Sequence, residues 1–126
     1  MKDLAEFFRK HDRIAIAGGP KSGKTTLSAL YEIDRPVLHT DDFQHVPWGE
    51  LPQVVLSQAV LYEPRWIVEG VQVPRLLRKG LPADAVLWLS GAGEQLTAGQ
   101  ETMAKGCRTV FDDWLSTGPS CYVLEV

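Results

Sequence analysis

The fold of this chain is decided by the stretch Gly18-Gly19-Pro20-Lys21-Ser22-Gly23-Lys24-Thr25. It fits the pattern G-x-x-x-x-G-K-S/T, whose glycines permit backbone conformations that other residues avoid. Successive N–H groups can then point inward at the oxygens of a phosphate. An apolar segment, 13–17, leads into the stretch, and residues 23–31 follow it with Leu27 and Leu30 at helical spacing. The stretch therefore predicts a phosphate-binding loop between a strand and a helix.

The remaining positions of this glycine-rich loop (residues 18–25) have chemical roles in the same prediction. Lys24 supplies a cation for the β- and γ-phosphates, and the hydroxyl of Thr25 is a ligand for Mg²⁺. The helix that begins here contributes unpaired N–H groups and the positive end of its dipole. We expect ATP or another nucleoside triphosphate to bind with Mg²⁺. The expected binding residues are Gly18, Gly19, Pro20, Lys21, Ser22, Gly23, Lys24, Thr25 and Thr26.

Predicted strands and helices alternate along the whole chain. Short apolar segments predict strands at 13–17, 36–40, 66–68, 85–89 and 121–124. Amphipathic or apolar spacing predicts helices at 2–10, 23–31, 51–62, 74–79 and 94–115, the last with a break near Gly106. Residues 41–49 are predicted to be a loop, because Pro47 and Gly49 interrupt them. The alternation predicts a single α/β domain over residues 1–126, with a mostly parallel sheet covered by helices on both faces.

Acidic residues follow two of the predicted strands. Asp41 and Asp42 come directly after the second strand, and Glu69 closes the third. Ligands of open α/β sheets bind at the carboxyl ends of the strands, so we expect these carboxylates near the loop. Two adjacent carboxylates repel each other unless a cation or a substrate donor is near. The alternatives are a turn cap for the aspartates and a solvated strand end for Glu69.

Three motifs together resemble the P-loop small-molecule kinases of the uridine kinase and nicotinamide riboside kinase group. They are the glycine-rich loop, Thr40-Asp41-Asp42-Phe43 and Ile67-Val68-Glu69-Gly70, and the resemblance covers about residues 13–90. It implies the P-loop NTPase fold, three α/β/α layers with about five strands in the order 2-3-1-4-5. It also implies that Asp41 is the base for an accepting hydroxyl. Glu69 is implied as a ligand of Mg²⁺ or substrate, and we add Asp42 and Thr25 as candidate metal ligands.

The kinases of this group usually carry a lid whose arginines clamp the phosphates. The corresponding segment here, 99–114, offers Lys105 and Arg108. We interpret Arg108 as a group that neutralises charge during transfer, the alternative being a solvated helix. Arg75 is a candidate for binding an acceptor phosphate, again with a solvated helix as the alternative. Phe43 is a candidate for stacking on a planar acceptor, or else a cover over the core.

Composition narrows the function classes further. The chain has 126 residues, a net charge of −3 and a pI of about 5.5, which argues against a protein that coats nucleic acid. No apolar stretch approaches the roughly 18 residues of a membrane span. Cys107 and Cys121 lack the spacing of metal ligands, so we expect both to be free thiols. For His39 we expect a structural role. We therefore expect a cytoplasmic protein.

These observations favour an ATP-dependent phosphotransferase. Its catalytic residues are expected to be Lys24, Asp41, Glu69 and Arg108, with Asp41, Phe43 and Arg75 contacting the acceptor. The acceptor is expected to be a small molecule with a hydroxyl or phosphate, similar to a nucleoside or nucleotide. The alternative is an NTP-binding or slowly hydrolysing module that regulates a partner protein, because the chain is short and its lid is sparse.

Overall fold

The computed structural model describes residues 4–90 and 95–126. Its strands are β1 (Arg13–Gly18), β2 (Val37–His39), β3 (Trp66–Glu69), β4 (Ala85–Leu89) and β5 (Tyr122–Glu125). Its helices are α1 (Leu4–Lys10), α2 (Lys24–Ala29), α3 (Leu51–Leu61), α4 (Val73–Arg78) and α5 (Ala98–Ser116). The predicted helix starts at Lys2 and Glu94 lie outside the described residues.

The five strands form one sheet in the order β2-β3-β1-β4-β5, and every neighbouring pair is parallel. The predicted α/β class, the parallel sheet and the strand order are confirmed. β1 lies at the centre, between β3 and β4, so the loop that leaves it emerges at the middle of the sheet's carboxyl edge. Strands β1 and β3 are almost wholly buried, which explains their continuous apolar sequences.

Two separate cores cover the two faces of the sheet. Alternate side chains of a strand point to opposite faces, so Ile14 and Ile16 pack with α1 on one face. Ala15 and Ala17 face the other way and pack in the core formed with α3, α4 and α5. The protein therefore has three layers, as expected. Among the helices of the described residues, none combines the length and the apolar character needed to cross a bilayer.

Helix α5 runs through Gly106 without interruption, so the predicted break there is wrong. A glycine inside a helix costs only about 1 kcal/mol relative to alanine. Cys107, Phe111 and Trp114 are buried on one face of the helix and anchor it on both sides of that weak point. A capping box also stabilises the start of α5, because the side chains of Thr97 and Gln100 accept hydrogen bonds from each other's backbone N–H groups.

The segment 41–49, predicted to be a loop, contains short helical structure instead. One 3-10 turn spans Thr40–Phe43, and a second spans Trp48–Glu50 just before α3. Pro47 initiates the second turn, since its carbonyl accepts hydrogen bonds from the N–H groups of Glu50 and Leu51. The proline was counted as a breaker, yet a fixed φ also suits the start of a turn.

Arg35 joins α1 to the sheet through a buried guanidinium. Its side chain donates to the carbonyl oxygens of Phe8 at 2.6 Å, His11 at 2.7 Å and Asp12 at 3.0 Å, and it pairs with Asp34. These carbonyls lie at and beyond the end of α1, where a helix leaves acceptors unpaired. One side chain thus satisfies several buried acceptors at once.

Replacing Arg35 with alanine is expected to lower the free energy of unfolding by about 3 kcal/mol, because the carbonyls and the Asp34 carboxylate lose their donor. Urea unfolding followed by circular dichroism would measure the loss. Arg78→Ala, at an exposed position of α4, is the matched control and should change stability by less than about 0.5 kcal/mol. Equal stabilities of the two variants would contradict this role for Arg35.

Candidate functional site

The glycine-rich loop needs its two flanking glycines for different reasons. Gly23 has a φ of 94°, in the left-handed region that other residues rarely adopt. Gly18 is limited by space, because a Cβ there would lie 2.6 Å from Oγ of Ser22 and 2.7 Å from the carbonyl oxygen of Leu89. The loop therefore folds tightly back on the end of β1, as a phosphate-binding loop requires.

Lys24 lies in the centre of this loop and is almost completely buried. Its Nζ donates to the carbonyl oxygen of Gly19 at 2.8 Å and to Oγ of Ser22 at 3.2 Å. Burial lowers the pKa of Lys24, while the charges of Glu69 and Asp41 act in the opposite direction. The ammonium group is thus desolvated, and its hydrogen bonds within the described residues are to neutral groups of the loop. In such a setting an anionic phosphate would be a strong partner.

Glu69 ends β3 beside the loop. Its carboxylate is buried and accepts a hydrogen bond from Oγ1 of Thr25 at 3.2 Å. The same oxygen, Oε2, lies 2.7 Å from Nδ1 of His39. Burial alone would lower the pKa of His39, but the hydrogen bond and charge of Glu69, with the hydrogen bond of Glu32 and the charge of Asp42, together raise that pKa above its ordinary value. The buried carboxylate is therefore paired from two sides.

Thr25 and Glu69 together fit a magnesium ion. Both present oxygen atoms, the ligand type that Mg²⁺ prefers, and Mg²⁺ commonly takes one or two protein ligands with substrate phosphates completing its shell. In residues 4–90 and 95–126, no three His, Cys, Asp or Glu side chains gather into a metal site of their own. The hydrogen bond from His39 would orient the Glu69 carboxylate, as partners of metal ligands commonly do.

A cavity of about 480 Å³, which we call the main cavity, opens beside the loop on the β2–β3 side of the sheet. It brings together seven of the predicted site residues: Pro20, Lys21, Lys24, Thr25, Asp41, Phe43 and Glu69. The strand order explains this, because β3 lies next to β1 and β2 lies next to β3, so the residues that follow the three parallel strands emerge at the same edge of the sheet. Asp42 is exposed and is not among the described lining residues, so the structure does not bring it to Thr25 and Glu69 as predicted.

Arg108 faces away from the main cavity. Its guanidinium pairs with Glu125 of β5 at 2.6 Å and with Asp112 at 3.0 Å, and it lies over the ring of Trp88. Glu125 is on β5, two strands away from β1, and Trp88 is on β4, which neighbours β1. Helix α5 presents Gln100 and Met103 to the cavity instead of the arginine expected there.

Arg75 lies beyond the main cavity, against the 3-10 turn at Trp48. Its guanidinium carbon is 4.3 Å from the centroid of the Trp48 ring, and Nη1 donates to the Trp48 carbonyl oxygen at 3.3 Å. The ring contact and the hydrogen bond of the Arg75 guanidinium are thus both with Trp48. Arg75 is not among the described lining residues of the cavity that Asp41 lines.

Comparison with known proteins adds no family to this site. No protein-family model matches the chain, and no curated protein matches it. Its function is therefore argued from its own residues.

His39 is the site residue that the sequence interpretation missed. The sequence predicts a structural role for His39. In the structure, His39 pairs in register with Glu69 across β2 and β3, and its ring contacts the Glu69 carboxylate. A signal was present in the sequence. Once β2 and β3 are expected to be parallel neighbours, the last residues of both strands fall side by side.

Proposed function

We propose that this chain is a P-loop kinase that binds ATP with Mg²⁺ and transfers the γ-phosphate to the hydroxyl of a small molecule. One observation carries the proposal. The oxygens of Thr25 in the loop and Glu69 on β3 lie 3.2 Å apart, and both line a cavity that Lys24 and Asp41 also line. A phosphate cradle, a pair of metal ligands and a free carboxylate are the parts that phosphoryl transfer needs.

In the proposed reaction, the acceptor oxygen attacks the γ-phosphorus in line with the bond that breaks. That bond joins the γ-phosphorus to the oxygen bridging it to the β-phosphate, so ADP leaves with the bonding electrons. The hydroxyl proton passes to the carboxylate of Asp41. The products are ADP, a phosphate ester and one proton, which Asp41 later releases to water.

The loop and the metal ligands lower the barrier by position and charge. Loop N–H groups and Lys24 hold the β- and γ-phosphates and spread the charge of the transferred group. Thr25 and Glu69 would hold Mg²⁺, which when bound neutralises charge on the phosphate oxygens. The free thiols Cys107 and Cys121 support a reducing compartment, and we propose the cytoplasm.

One observation favours a second candidate, an NTP-binding module that hydrolyses slowly and regulates a partner protein. Arg108 forms ion pairs with Glu125 and Asp112, and no described arginine lines the main cavity. An arginine that reaches the transferred phosphate raises phosphoryl-transfer rates by about 10³ or more. A protein without one would bind nucleotide and turn it over slowly.

Replacing Asp41 with asparagine is expected to lower acceptor-dependent ADP release about 100-fold, because the amide cannot accept the hydroxyl proton. ATP affinity should stay within about twofold, since Asp41 is not part of the glycine-rich loop. A coupled ADP assay over a panel of alcohols, nucleosides and nucleotides measures the first quantity, and calorimetry with a non-hydrolysable ATP analogue measures the second.

Asp42→Asn is a matched control for this experiment. It removes the same charge from the adjacent residue, which is exposed and not among the described lining residues, and it should retain full activity. Equal losses in the two variants would contradict Asp41 as the base. Slow ADP release that no acceptor stimulates would favour the regulatory module over the kinase.

A further inference from the structure

The main cavity continues into a second cleft on the side away from β2. This side cleft has a volume of about 310 Å³ and lies between α4 and α5. The two spaces share four lining residues, Trp48, Val71, Gln72 and Met103. The two spaces therefore adjoin each other at these residues. We refer to them together as the channel, which extends from the glycine-rich loop toward Val110.

The channel is apolar beyond its catalytic end. Phe43, Val46 and Leu51 line the main cavity, and Pro74, Cys107 and Val110 line the side cleft. Two large apolar side chains at the junction are exposed, Trp48 to 61% and Met103 to 51%. Exposed apolar surface in a concave site commonly marks a place that a ligand covers.

Most of the described charge lies at the loop end of the channel, and Arg75 is the one described charged residue that lines the side cleft. The described cations of the main cavity are Lys21 and Lys24, both in the glycine-rich loop, where the phosphates of ATP would occupy them. The remaining polar lining away from the loop comes from the neutral side chains of Gln44, Gln72 and Gln100. In the side cleft, Arg75 is stacked on Trp48 and bonded to its carbonyl. An anionic acceptor group away from the loop would thus meet mainly apolar surface, and to pair with the one described cation there it would have to compete with Trp48 for Arg75, which is costly.

We infer that the acceptor is an uncharged alcohol with an apolar body, held with its hydroxyl at Asp41 and its body along the channel past Trp48 and Met103. This inference rests on the proposed function. The inferred chemistry narrows the range of expected acceptors, because the mainly apolar lining of the channel disfavours a phosphorylated or otherwise anionic metabolite. The glutamines supply the few hydrogen bonds that orient the body, as is usual in apolar ligand sites.

A matched pair of probes tests the inference by binding. The probes are 2-(2-naphthyl)ethanol and a phosphate monoester, 6-(2-hydroxyethyl)-2-naphthyl phosphate, which keeps the hydroxyl and carries its phosphate at the other end of the ring system. Both are measured by equilibrium dialysis against the full chain with ADP and Mg²⁺ present. The alcohol is expected to bind at least about tenfold more tightly than the ester, since only the ester brings charge into the apolar channel. Release of ADP from ATP in the presence of each probe is measured in parallel.

Met103→Lys places a cation in the channel at an exposed position, so the fold should tolerate it. The variant is expected to bind the alcohol about tenfold more weakly and the ester more tightly than the wild type. Thr102→Lys makes the same change of charge at the neighbouring residue, which is exposed and not among the described lining residues. It should bind both probes as the wild type does.

The outcomes separate this inference from the proposed function. Wild-type protein that binds the ester as tightly as the alcohol, or binds neither probe, would overturn the inference even if ATP is turned over with another acceptor. Tight and selective binding of the alcohol without any ADP release would support an uncharged ligand in the channel while contradicting phosphotransfer.

Discussion

Replacing Lys24 with alanine is expected to weaken ATP binding about 1,000-fold, the largest functional effect we predict. Lys24 is buried in the glycine-rich loop, and the described hydrogen bonds of its Nζ are to uncharged groups, the Gly19 carbonyl and the Ser22 hydroxyl. Charge-assisted contacts to the β- and γ-phosphates contribute about 2 kcal/mol each, and the sum corresponds to roughly three decades in affinity. Calorimetry with Mg²⁺ and a non-hydrolysable ATP analogue would measure the change.

The fold should survive this substitution. Burial lowers the pKa of Lys24, so the folded protein holds a desolvated ammonium whose removal relieves that cost. We expect a thermal midpoint equal to or above that of the wild type. Lys105→Ala, at an exposed position of α5, is the matched control for loss of a lysine and should leave affinity unchanged. ATP binding by Lys24→Ala within threefold of the wild type would refute the assignment of the loop.

The fold and the centre of the site could be predicted because both follow from short-range features. The glycine-rich loop specifies a strand before it and a helix after it, and the apolar segments are too short and too continuous to be other than buried strands. Asp41 and Glu69 each follow such a strand directly. In a parallel sheet, both residues then lie at the carboxyl edge of the strands, where the loop that carries Lys24 follows β1.

The parts that were predicted wrongly or missed depend on long-range contacts. Arg108 was expected at the phosphates, but its position is decided by Glu125, 17 residues later, and by the Trp88 ring. The helix break near Gly106 was inferred from local propensity, which the buried side chains of α5 outweigh. His39 has no local signal of function, because its partner Glu69 lies on another strand.

Gly70 is the position where we expect the largest effect on stability. It follows Glu69 at the end of β3, with a φ of 146°, and it packs directly against Thr40 at the end of β2. A Cβ on Gly70 would overlap Oγ1 of Thr40 and lie 2.8 Å from its Cβ, so rotation of the threonine alone would not remove the clash. The placement of the carboxylates of Asp41 and Glu69 thus depends on a contact that only glycine allows.

Gly70→Ala is expected to lower the free energy of unfolding by about 5 kcal/mol, the sum of overpacking and backbone strain. Because this is comparable to the whole stability of a small domain, much of the variant should be unfolded at room temperature. Urea unfolding followed by circular dichroism measures this loss of stability.

Thr40→Ala removes the overlapping hydroxyl, so the double variant should recover about 2 kcal/mol relative to additivity. Gly106→Ala, inside α5 with no atom within 4 Å of the added Cβ, should instead gain up to about 1 kcal/mol. Equal stabilities of Gly70→Ala and the wild type would mean that β2 and β3 do not meet at Thr40.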